Sequence, residues 1–189
     1  MLQLLDSEAR IWHASKIMRI NEIRLILVAT DFSAVSERAL DVAMDLARLI
    51  GAAIEVLHVN LEAMWVLPPP GDVVAAPVDL TEVLASSAIQ LDATVARVRA
   101  AGIPCTGVSQ TGRTDAEIVE YARTQSAGLI VVGSHGRHGL GHALIGSVAE
   151  KVVRHAPCPI LVVPASEGEQ PRASNEDESP AMIPVNQPV

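Results

Sequence analysis

Aromatic side chains are nearly missing from this 189-residue chain: two Trp, one Tyr and one Phe make up 2% of it. Its core must therefore be built from Ala, Val, Leu and Ile, since hydrophobic residues still reach 49%. Short side chains of this kind favour a tightly layered α/β interior, with helices close to a sheet. Cysteine is as scarce. Cys105 and Cys158 each adjoin a proline and form no C-x-x-C pair. That excludes a secreted disulfide framework and fits two inert thiols in a reducing cytoplasm. Positive charge is also short, with a formal net charge of -8. No basic patch offers itself to a polyphosphate backbone, so nucleic acid is not an expected partner. No apolar run is long enough to span a bilayer, and no membrane association is expected. Residues 1–22 carry charges throughout, unlike a secretory leader.

What the chain does have is glycine, concentrated where bulk would obstruct. Residues 128–158 read GLIVVGSHGRHGLGHALIGSVAEKVVRHAPC. An apolar run, Leu129 to Val132, stops at Gly133, and a helix-like segment opens at Gly146-Ser147. Glycine lets main-chain N–H groups approach a ligand with no Cβ in the way. A helix starting at Ser147 would aim its free N–H groups and positive dipole end back at the loop. Such a combination suits an anion, phosphate above all. Two common phosphate motifs fail here. Gly141 and Gly146 have P-loop spacing, but Ser147 stands where Lys is needed. Gly139-Leu140-Gly141 begins a dinucleotide fingerprint, but Leu144 stands at the third glycine.

The rest of the chain alternates strand and helix patterns. Ile23 to Ala29 is a continuous apolar run apart from Arg24, as in a strand buried on both faces. Thr30-Asp31-Phe32-Ser33 is a polar turn in which Ser33 or Asp31 can cap the next helix. That helix carries Ala39, Leu40, Ala43, Leu46, Ala47 and Ile50 and ends at Gly51. Ala53 to Val59 is a second strand. Residues 61–79 form a proline-rich loop, long enough to serve as a lid, with Trp65 either covering a ligand or anchoring the loop. Leu80 to Ala101 is helical, with Leu84, Ala88, Leu91, Val95 and Val98 on one stripe. Pro104 to Thr111 is a weaker strand, and Thr114 with Glu117 spells a capping box for the helix that follows. Ile118, Tyr121 and Ala122 of that helix face the core. Leu129 to Val132, Ser147 to His155 and Ile160 to Val163 complete the series. Five such alternations imply a parallel sheet covered on both faces with right-handed crossovers. Residues 1–22 are either a partner-packing extension or an artefact of translation starting at Met18. The Ser-, Glu- and Pro-rich residues 165–189 are expected to be a disordered acidic tail.

Gly133-x-x-Gly136, nine residues, then Gly146-Ser147 resembles the nucleotide-binding signature of the universal stress protein family. The stretches Val131 to Arg137 and Pro157 to Pro164 are similar to that family's C-terminal half. Ile26 to Ser33 and Val56 to Val59 are similar to its first two strands. The resemblance covers residues 23–164. It implies a three-layer α/β/α domain, Rossmann-like, with an open five-stranded parallel sheet in the order 3-2-1-4-5. In that order strands one and four are neighbours where the winding reverses, and ligands bind such sheets at that crevice.

The same resemblance implies the site. ATP is the expected ligand, with AMP or ADP as alternatives and Mg²⁺ accompanying the phosphates. Ala29 (proline in many members), Thr30 and Asp31 follow strand one. Asp31 suits an adenine amine or a ribose hydroxyl, or is simply a helix cap. Val59 would pack on the adenine face, or is ordinary core. Val132, Gly133 and Gly136 bring backbone to the ribose and phosphates. Gly146, Ser147 and Val148 hold phosphates through main-chain N–H groups, Ser147 also through its hydroxyl. Arg137 either adds a cation there or is solvated. His135, His138 and His142 lack the Cys or carboxylate partner a zinc site usually shows, so no metal is assigned to them. The resemblance also implies a homodimer paired through the last strand, residues 159–164. With no P-loop Lys and no Walker-type acid, catalytic residues are not expected. The alternatives to a ligand-biased binding protein are a slow ATP hydrolase or phosphotransferase, and an ATP-independent dimeric scaffold.

Overall fold

Valine, isoleucine and leucine fill both faces of the three central strands, and that double burial determines the architecture. The computed structural model describes residues 20–60, 80–136 and 145–165. After a 3-10 turn, Ile20–Glu22, the chain runs β1 (Leu25–Thr30), α1 (Ala34–Ile50), β2 (Ala53–Asn60), α2 (Leu80–Ala100), β3 (Cys105–Thr111), α3 (Thr114–Thr124), β4 (Leu129–Gly133), α4 (Ser147–His155) and β5 (Ile160–Val163). The strands form one parallel sheet in the order β3-β2-β1-β4-β5. Each crossover carries a helix, as parallel pairing requires.

Side chains alternate across the sheet and divide the core in two. Ile26, Val28, Ile54, Val56 and Val131 pack under α1 and α2, against Ala39, Leu40, Ala43 and Val98. Leu27, Leu57, Ile130 and Val132 pack under α3 and α4, against Ile118, Ala122 and Val152. Alanines at the α1 contact let the helix approach closely, which takes the place of aromatic bulk. Gly51 ends α1 in the left-handed conformation at φ 69, its N–H bonded to the Ala47 carbonyl.

Two local expectations are corrected. The capping box at Thr114 does not form. The N-cap of α3 is Arg113, without a side-chain cap bond, and Thr114 is the first helical residue. Gly112, at φ 154, lets the Glu117 side chain fold over it instead: a Cβ there would stand 2.7 Å from Glu117 Oε1. The apolar stripe of α2 is buried only in its second half. Leu91, Val95 and Val98 are core, whereas Leu84 is 46% exposed and Ala88 is exposed too. The buried half is the part that packs on β3, where a Cβ on Gly107 would stand 2.7 Å from Val95 Cγ2 and 3.0 Å from Leu91 Cγ. Tyr121 faces the core as expected, half-buried and packed against the α3/α4 cluster. Loop 61–79 with Trp65, residues 1–19 and residues 166–189 lie outside the described residues. Among those described, no helix is long and apolar enough to cross a membrane.

Candidate functional site

β1 and β4 are adjacent, so the residues just past their carboxyl ends share one crevice although about a hundred positions separate them in sequence. On the β1 side the turn is wound tightly. Thr30 is 7% exposed, and its hydroxyl accepts from the Phe32 N–H at 3.0 Å. Asp31 Oδ1 accepts from the Ser33 N–H at 3.1 Å and from the Ser33 hydroxyl at 2.6 Å. Ser33, not Asp31, is the N-cap of α1, its Oγ accepting from the Ser36 N–H at 3.3 Å. Asp31 therefore braces the cap through one oxygen. Its other oxygen looks across the crevice, since a Cβ built on Gly136 would stand 2.6 Å from Asp31 Oδ2.

The β4 side is held by Ser134, which the sequence reading passed over. Its N–H donates to the Val163 carbonyl at 2.7 Å, and its carbonyl accepts from the Gly146 N–H at 2.7 Å. The second bond closes the loop back onto the strand end and fixes where α4 begins. Ser134 is 3% exposed, and its Oγ lies 3.0 Å from His135 Nδ1. Its signal in the sequence was only its place between Gly133 and Gly136.

Gly146 is the N-cap of α4, extended at φ -70 and ψ 156, with no side-chain cap bond. A glycine has no side-chain oxygen to offer the first N–H groups of the helix, those of Ser147 and Val148 among them. Ser147 is exposed and Val148 is 39% exposed. An acceptor arriving here would meet the positive end of a helix whose N-cap makes no side-chain bond. Gly133 is packed differently. A Cβ there would stand 2.9 Å from Val35 Cγ1 in α1 and 3.3 Å from the His135 carbonyl oxygen.

The remaining expected residues fall as follows. Ala29 is half-buried against the α3/α4 cluster and pairs in register with Leu57. Val59 and Val132 are members of that cluster, at 9% and 5% exposure. Arg137, His138 and His142 lie outside the described residues. Among the described residues, no group of three or more His, Cys, Asp or Glu side chains is placed to hold a metal. Cys105 and Cys158 are free, and burial pushes each thiol up to about 11, which keeps both protonated at neutral pH.

A family model described as the universal stress protein family matches residues 22–164. Universal stress protein YxiE of Bacillus subtilis is 32% identical over 143 residues, which is 73% of this chain and 97% of that protein. A universal stress protein family member from Burkholderia pseudomallei superposes with a TM-score of 0.59 at 29% identity, covering 76% of this chain and 97% of the other. A universal stress protein in complex with cAMP superposes with a TM-score of 0.55 at 26% identity, covering 75% and 96%.

Proposed function

Because this chain belongs to the universal stress protein family, we propose that it binds an adenine nucleotide, ATP by preference, between the β1 and β4 loops. Occupancy then biases its conformation or assembly in a stress response. The observation that carries this reading is the facing of Asp31 Oδ2 and Gly136 across the crevice, beside a helix whose N-cap is glycine. The fit to a nucleotide is chemical. A carboxylate accepts from a base amine or ribose hydroxyl, and bare N–H groups at a helix start take phosphate. The similar protein that holds cAMP supports the adenine class.

Asp31 orients the nucleoside end. Gly136 keeps that end unobstructed. Ser147 and Val148 bind phosphate oxygens through N–H groups, Ser147 adding its hydroxyl. A Mg²⁺ would arrive on the phosphates rather than in a site of protein ligands. Charge-assisted bonds of roughly 1.5–3 kcal/mol each supply most of the grip, and the helix dipole adds about 0.3–1 kcal/mol. A cytoplasmic setting is in keeping with two protonated, unpaired thiols.

Calorimetric titration with ATP, AMP and cAMP tests the reading, with ATP expected to bind most tightly. No binding by any of the three sinks it. Phosphate release above roughly 0.01 per second, still far below ordinary turnover, would replace it with a slow hydrolase.

The edge position of β5 supports a homodimer. Ile160, Leu161 and Val162 are only half-buried, and Val153 of the preceding α4 is 49% exposed. An apolar edge strand is an association hazard unless it is paired, and residues 159–164 of a second copy supply the pair. Light scattering is expected to give twice the chain mass at micromolar concentration. A monomer there refutes the pairing.

A further inference from the structure

We propose that His58 is a positioning residue of the nucleotide cleft, holding the turn that aims Asp31. The inference rests on the nucleotide reading above and deepens it. His58 ends no loop and carries no motif. It lies in β2, in register with Thr30 of β1, and is 9% exposed. Its Nδ1 is 2.9 Å from the Thr30 carbonyl oxygen. A carbonyl only accepts, so Nδ1 carries the hydrogen and donates it to Thr30. The same imidazole lies against the Phe32 ring, with centroids 4.5 Å apart and planes inclined by 32°.

Those two contacts grip the residues on either side of Asp31. Phe32 needs gripping. It is left-handed at φ 61, a conformation that a residue with a Cβ resists. The other described non-glycine residue with positive φ, Ser126 at 54, follows the end of α3, where such geometry is common. Phe32 instead stands inside the candidate site. Strain of this kind persists only where the surroundings over-determine it. The bonds from Phe32 N to Thr30 Oγ1 and from Ser33 N to Asp31 Oδ1 are local to the turn. His58 reaches it from another strand and ties its direction to the sheet. Without that tie, the turn keeps its own bonds but not the heading of Asp31 Oδ2 toward Gly136.

The test uses the full chain with His58→Ala, His58→Phe and His58→Asn, each also combined with Asp31→Ala. His58→Ala and His58→Phe, which lack the donor, are expected to weaken ATP binding roughly tenfold, about 1.4 kcal/mol. Asn places an amide N–H near the Nδ1 position, and His58→Asn is expected to restore most of the loss. In the Asp31→Ala background His58→Ala should cost nothing further, since coupled residues are not additive. Amide exchange in ligand-free protein is the second readout. His58→Ala should speed exchange at Phe32 and Ser33 and leave the middle of α1 protected. Unchanged exchange at those two amides overturns the proposal. So does an undiminished His58→Ala penalty once Asp31 is removed, or wild-type affinity in His58→Phe. If the wild type binds no adenine nucleotide, the nucleotide reading fails by itself, and exchange at Phe32 and Ser33 still decides whether His58 holds the turn.

Discussion

Gly136→Val is expected to weaken ATP binding roughly a hundredfold and to leave the unfolding midpoint almost where it was. The Cβ it introduces would stand 2.6 Å from Asp31 Oδ2 and, among the described residues, meets nothing else closer than the carboxyl carbon at 3.6 Å. Gly136 is exposed, and its φ is not in the left-handed region. The backbone therefore accepts a side chain, and the clash is relieved by turning one carboxylate away. Folding loses well under about 1 kcal/mol, as for other exposed positions. Binding loses the acceptor at the nucleoside end and the open approach beside it. A charge-assisted bond of about 3 kcal/mol corresponds to roughly a hundredfold in affinity. Titration calorimetry beside a thermal melt checks both halves. Undiminished ATP affinity would show that the ligand does not lie between Asp31 and Gly136.

Gly133→Val is expected to do the reverse, damaging the fold first. Its Cβ would stand 2.9 Å from Val35 Cγ1 and 3.3 Å from the Val35 carbonyl carbon. Val35 is 8% exposed in the first turn of α1, and the backbone behind it has nowhere to retreat. Overpacking of this kind costs about 1–3 kcal/mol, and two further methyl groups put Val at the upper end. For a chain of this size the midpoint should fall by about 5–10 °C. Binding is lost as well, but through displacement of α1 rather than through a filled crevice. Lost binding in Gly133→Val therefore says little about the ligand, and Gly136→Val is the sharper instrument. A midpoint in Gly133→Val equal to the wild type's would contradict the packing described between β4 and α1.

The layered fold was legible because its signals are local and repeated. Gly51 reads as a helix end because only glycine relaxes comfortably at that φ. The bounds of α4 and β5 follow from Gly146 and from the prolines around Cys158. The stripe on α2 misled because periodicity reports which face is apolar, not how far the sheet extends beneath it. Leu84 and Ala88 sit on the apolar face of α2 and are nevertheless exposed. The capping box at Thr114 failed for a conformational reason: Gly112 moved the start of α3 by one residue, and Glu117 found a different neighbour. At the site, the pairing of Asp31 with the glycine loop followed from strand order. The network inside the turn did not. That Asp31 braces Ser33, and that His58 reaches back to Thr30, depends on side-chain directions that no spacing rule encodes. Ser134 and His58 escaped notice because one acts through its backbone and the other reads as an ordinary strand residue.

Ser134 donates to Val163 on the outermost strand and accepts from Gly146 at the mouth of α4. One residue, through its two flanking peptide groups, thus joins the rim where a second subunit would attach to the collar where a phosphate would rest. Linkage between two such places runs equally in both directions. If a ligand at the collar strengthens the adhesion of two copies, then pairing of the copies strengthens the hold on that ligand by the same factor.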